Sequence, residues 1–141
     1  MSSWKAAASL MLCLASPLAQ ADIAPASAAD MKWFEGRWAT VPADVPGMET
    51  LAPATADCTH AVTLRQTGAS TLMRVSTLRN GEAHTAEFEI KTFAGNYPWW
   101  PLDDGPAPVA KRIGDNAFVL ARTQMGRADW ANALQHIRCP D

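Results

Sequence analysis

The stretch Ala83-His84-Thr85-Ala86-Glu87-Phe88-Glu89-Ile90-Lys91-Thr92-Phe93 decides the fold class. Ala86, Phe88, Ile90 and Thr92 share one parity; Glu87, Glu89 and Lys91 share the other. Successive side chains of a strand point to opposite faces. The alternation therefore sets an apolar row against a charged row. The segment reads as an antiparallel strand with one face on a core and one in water. Glu87, Glu89 and Lys91 then belong to a solvated face and not to a general acid–base pair.

Strand signals continue on both sides. Asn80-Gly81 is a hairpin signal just upstream. Before it, Thr71 to Arg79 is rich in β-branched residues, although Leu72, Met73, Val75 and Leu78 keep no single parity. His60 to Gln66 alternates, with Val62 and Leu64 on one face, and 67–70 is a turn. Downstream, 94–108 holds Gly95, Pro98, Pro101, Gly105, Pro106 and Pro108, and reads as irregular with no room for a regular strand. Val109 to Ile113 and Ala117 to Thr123 are strand candidates around a turn at 114–116, and Met125-Gly126 allows a further reversal.

The last stretch fits two patterns. Trp130, Ala133, Leu134 and Ile137 fall at helical spacing, while Leu134, His136 and Arg138 alternate as in a strand. A strand with a bulge matches the preceding spacing better, and the helix stays open. Near the start, Asp30 is placed to cap a helical turn over Met31 to Phe34. Glu35-Gly36 then leads into a strand over 37–41. The fold class is mainly β: a small antiparallel barrel or sandwich of five to eight strands, with short helical turns near both termini. Barrel closure would remove unpaired edges.

The first 21 residues read as an address. Lys5 supplies a positive start, Ala6 to Leu14 a short apolar run, and Ala19-Gln20-Ala21 a small-x-small cleavage site. That is the pattern of a secretory signal peptide, with a mature chain from Asp22. The division is 1–21 signal, 22–29 flexible leader and 30–141 a single β domain. Removal of Cys13 with the signal leaves Cys58 and Cys139, most simply a disulfide in an oxidising compartment. The protein is therefore expected to be exported, periplasmic or secreted. No apolar run reaches the roughly 20 residues of a helical membrane span. With 12 Lys+Arg against 14 Asp+Glu, the chain lacks the basic excess that nucleic-acid binding needs.

Trp33-Phe34-Glu35-Gly36-Arg37-Trp38 carries Gly-x-Trp, Gly36 to Trp38, at the start of the first strand. This resembles the opening of lipocalin-like, calycin-type small β-barrels. The resemblance implies that Trp38 sits at a closed barrel end, packed against an Arg near the chain's end. Arg138 is the first candidate for that partner and Arg122 the second. It also implies an open mouth and a hydrophobic cup.

Chemistry-bearing motifs are sparse. HExxH, GxSxG, GxxxxGK and CxxC are absent. His60, His84 and His136 are scattered and read as solvated or core-edge rings; an isolated Asp103-Asp104 falls short of a calcium site. No metal or cofactor is called for. Tyr97-Pro98-Trp99-Trp100-Pro101 groups three aromatics between prolines. These side chains either plug one end of the core or present a ligand- or partner-binding face. The favoured reading is a non-catalytic binding protein for a small apolar ligand. In it, the Pro-rich loop 42–57 lies over the mouth, and Tyr97, Trp99 and Trp100 line or rim it. An envelope protein-binding module such as a hydrolase inhibitor is the alternative, and an enzyme built from convergent polar groups is the second.

Overall fold

The computed structural model describes residues 22–42, 58–77 and 81–140. The expected signal peptide, most of the loop 42–57 and Asn80 of the hairpin signal lie outside the described residues. The elements are β1 (Ala24–Pro25), α1 (Ala28–Phe34), β2 (Gly36–Pro42), β3 (Val62–Gln66), β4 (Thr71–Thr77), β5 (Ala83–Thr92) and β6 (Tyr97–Pro101). They continue with β7 (Val109–Gly114), β8 (Ala117–Ala121), β9 (Thr123–Gln124), β10 (Arg127–Ala128), a 3-10 turn (Trp130–Asn132) and β11 (Leu134–Arg138).

β2, β3, β4, β5, β6, β7, β8 and β11 pair in that order, and β11 returns to β2. The result is a closed, eight-strand antiparallel barrel in which each wall strand lies beside its neighbour in sequence. Closure leaves no wall strand with an open edge. β9 and β10 form a small hairpin between β8 and β11. β1, within the segment expected as a leader, pairs with β5 through Ala24–Thr92 and Pro25–Lys91.

The register sorts side chains into an inside and an outside. Ile90 lies opposite Trp99, Arg112 opposite Phe118, Phe118 opposite His136, and Arg138 opposite Trp38. The inward parity on β5 is the one that carries Ala86, Phe88 and Ile90, as the alternation predicts. Trp38, Leu72, Ile90, Trp99, Ala110 and Phe118 are fully buried inside. Burying one large apolar side chain contributes about 1.5–3 kcal/mol, so this cluster carries much of the fold's driving force.

Two local expectations are corrected, and one open alternative is resolved. The 97–101 segment is a strand, despite its prolines. Pro98 and Pro101 cannot donate, yet the Trp99 N–H donates to the Pro108 carbonyl at 2.8 Å and the Leu102 N–H to the Glu87 carbonyl at 3.0 Å. Those bonds, with Trp99 anchored in the core, hold a strand where proline content argues against one. The helix starts earlier than expected: Ser27 is its N-cap and accepts from the Asp30 N–H at 3.1 Å. Asp30 instead lies in the first helical turn. Finally, 129–139 divides into both readings, a 3-10 turn followed by strand β11.

Cys58 and Cys139 form a disulfide with a Cα–Cα distance of 5.8 Å across 81 residues of sequence. Arg37 ties both ends in place. Its Nη2 donates to the Cys58 carbonyl at 2.7 Å, and its own carbonyl accepts from the Cys139 N–H at 2.8 Å. A disulfide suggests maturation in an oxidising compartment. Among the described residues, no helix is long and apolar enough to cross a membrane.

Candidate functional site

The two barrel ends differ in chemistry. At one end α1 acts as a plug. Met31 and Phe34 are fully buried, and Phe34 meets Tyr97, Trp99 and Phe118 edge-on at centroid distances of 5.1, 5.6 and 5.3 Å. Edge-to-face packing suits the ring quadrupoles. The Trp38 indole N–H donates to the Phe34 carbonyl at 2.9 Å, which fixes the helix end to β2.

Arg138 joins that plug to the last strand. Its guanidinium lies 4.2 Å from the Trp38 ring centroid and 5.3 Å from that of Trp33. Nη1 donates to the Glu35 carbonyl at 2.9 Å and Nη2 to the Trp33 carbonyl at 2.6 Å. Arg112 covers Trp33 as well, at 4.0 Å. Gly36 is needed here twice over. Its φ is +135°, and a Cβ at that position would stand 3.1 Å from Arg138 Nη1. The spacing Gly36-x-Trp38 thus has a physical cause: glycine makes room for the guanidinium that stacks on the tryptophan. Arg122, the second candidate for that partner, instead lines the opposite end of the barrel.

At that opposite end a cavity of about 780 Å³ opens, lined by Arg74, Phe88, Pro108, Leu120, Arg122 and Leu134, with the β9–β10 region at its rim. Ligand pockets typically span about 300–1,000 Å³. Phe88 and Leu120 are only half-buried, although their register points them inward. They are apolar surface at the mouth that is only partly covered.

Arg74 is the unexpected residue. It sits on β4 opposite Leu64 and Ala86, on the inward parity with Leu72. Its Nε is buried without a partner among the described residues. Desolvation by burial pulls its pKa below the ordinary arginine value. Among the described strand residues, no Asp or Glu occupies an inward position of the barrel wall. Glu89 pairs with Lys91 at 2.8 Å on the outside, and Glu87 accepts from Thr67 Oγ1 at 2.7 Å. At the rim, Asp129 Oδ2 accepts from Asn132 Nδ2 at 2.9 Å.

The inner wall carries two further unsatisfied buried atoms among the described residues, Trp99 Nε1 and His136 Nε2. His136 is fully buried and stacks on Phe118 at 4.3 Å with 14° between the planes. Burial pushes its pKa down from 6.5 to about 3; the bond to the Leu134 carbonyl opposes that fall, and the Arg74 charge adds to it. The ring is therefore neutral. Nδ1 carries the proton towards the Leu134 carbonyl at 3.1 Å, which leaves Nε2 as an acceptor.

The three grouped aromatics separate. Trp99 is fully buried in the core, while Trp100 is 44% exposed with Lys91 Nζ 5.4 Å from its ring centroid. Tyr97 lies at the plugged end, where its hydroxyl donates to Asp30 Oδ1 at 2.9 Å. Burial and that carboxylate raise the phenol pKa. None of the three lines the mouth cavity described above. His60 and His84 are exposed and His136 is buried, so the histidines do not form a common exposed site. Among the described residues, no group of three or more His, Cys, Asp or Glu is placed to hold a metal ion. Sequence reasoning missed Arg74. Its signal was a cation on the same strand parity as Leu72.

Comparison of the chain with protein-family models, curated proteins and solved structures found no match.

Proposed function

We propose that the protein is an exported, non-catalytic carrier that takes up a small amphipathic molecule through the end of a lipocalin-like barrel opposite helix α1. The observation that carries this reading is the cavity of about 780 Å³, with half-buried Phe88 and Leu120 in its lining. A barrel built only for stability gains by filling such a volume, since unfilled space forfeits packing contacts. The meander order, the helix plug and the Gly36–Trp38–Arg138 stack support the lipocalin-like relationship. The disulfide supports export, and the stretch at 1–21 reads as the signal that directs it.

A module that anchors a protein partner through Trp99 and Trp100 needs both rings at the surface. Trp99 is fully buried, which favours the small-ligand reading. The test is a titration with the neutral fluorophore N-phenyl-1-naphthylamine. Saturable fluorescence enhancement at one site per chain is expected, with loss of that site when Leu120→Trp fills the cavity. A folded wild-type protein that gives no saturable signal would refute the carrier reading.

A further inference from the structure

Resting on that carrier reading, we propose that the ligand is a monocarboxylate with an apolar tail, its carboxylate held by the guanidinium of Arg74 and its tail against Phe88 and Leu120. Three observations carry the assignment. Arg74 lines the cavity. Its Nε has no hydrogen-bond partner among the described residues, and no described inward wall position supplies a carboxylate. Phe88 and Leu120 supply apolar surface to the same cavity and are only half-buried.

A charge in low-dielectric surroundings is costly unless it is paired. The guanidinium fork matches a carboxylate with two parallel N–H···O bonds, and such charge-assisted bonds are stronger than neutral ones. One fixed cation is balanced by one anionic head. The arginine at the rim, Arg122, is exposed and adds positive potential at the entrance. Asp129, also at the rim, is occupied with Asn132. The cavity therefore carries two cations, Arg74 and Arg122, against one lining carboxylate, Asp129, beside the apolar surface of Phe88 and Leu120.

Calorimetric titration of the disulfide-intact protein with decanoate, decan-1-ol and acetate tests this. Decanoate is expected to bind about tenfold or more tightly than decan-1-ol, since a hydrogen bond to a charged group supplies at least that ratio. Acetate is expected to give no measurable heat. In Arg74→Gln the two ten-carbon ligands should bind alike, at the wild-type alcohol affinity, and Arg74→Lys should restore part of the preference. Equal affinities for acid and alcohol in the wild type would overturn the carboxylate assignment and leave the carrier reading standing. Acetate binding as tightly as decanoate would overturn the amphiphile assignment in favour of a bare anion site. If neither ten-carbon ligand binds while N-phenyl-1-naphthylamine does, this proposal alone is overturned; if none binds, the carrier reading falls with it. The wild-type comparison needs no variant to fold.

Discussion

Substituting Gly36 by Ala, alone and together with Arg138→Met, probes the plugged end most sharply. At φ +135° an alanine adopts a backbone conformation that L-residues rarely take, a cost of about 1–3 kcal/mol. Its Cβ would also stand 3.1 Å from Arg138 Nη1, so the guanidinium must shift. That shift weakens the bonds to the Glu35 and Trp33 carbonyls, 2.9 and 2.6 Å long, and the stack 4.2 Å from the Trp38 ring centroid. Arg138→Met removes those interactions outright. With hydrogen bonds to a charged group near 1.5–3 kcal/mol each and a cation–π contact near 0.5–2, a loss of about 3–4 kcal/mol is expected after partial resolvation. In the double variant the steric part of Gly36→Ala has nothing left to disrupt, and only the backbone part remains. The combined loss should fall short of the sum by about 1 kcal/mol or more, well outside the roughly 0.3–0.5 kcal/mol expected of independent sites. Urea unfolding of the four proteins, with the disulfide intact, measures the cycle. Strict additivity would refute the idea that glycine is there to admit the arginine.

Replacing both Cys58 and Cys139 by Ala opens a loop of 81 residues and should lower stability by about 4–5 kcal/mol in the chain-entropy account, read from the urea midpoint; an unchanged midpoint would contradict a structural bridge. His136 gives a pH signature. Its unfolded-state imidazole takes up a proton below about 6.5, while the native ring resists until about 3, so stability falls as pH drops through that window. By pH 4.5 the wild type should have lost about 2–3 kcal/mol more, relative to pH 7, than His136→Phe. Parallel pH profiles of the two proteins would remove His136 from the argument. Met125, fully exposed with φ +51° ahead of Gly126 at +75°, occupies a hairpin position that favours Asn. Met125→Asn should raise the thermal midpoint, by an amount equivalent to about 0.5–1 kcal/mol; a lowered midpoint would contradict that turn geometry.

The alternation at 83–93 was legible because β5 sets apolar Ala86, Phe88 and Ile90 on the inward parity against charged Glu87, Glu89 and Lys91 on the outward one, so that period two is written in residue type. The Gly36–Trp38–Arg138 stack and the Cys58–Cys139 link were legible for another reason. Each rests on a residue type with few uses in its setting. β6 was obscured because its prolines weigh against a strand, while the bonds that hold it come from Trp99 and Leu102. The opposite facing of the paired tryptophans was hidden with the strand: adjacent residues of a strand must face opposite sides, so one of them goes inside. Arg74 was illegible because β4 is half-buried on both faces, with Met73 and Val75 outward yet partly covered. Its parity matches that of Leu72, but only barrel closure turns that parity into a cavity wall.

The carrier account is tested most directly by amide chemical-shift mapping during titration of the isotope-labelled protein with N-phenyl-1-naphthylamine. Saturable shifts are predicted at Arg74, Phe88, Leu120, Thr123 and Leu134, with Trp33, Gly36 and Arg138 at the plugged end unmoved. Shifts confined to the outer surface around Trp100, or none at all in a folded sample, would contradict it.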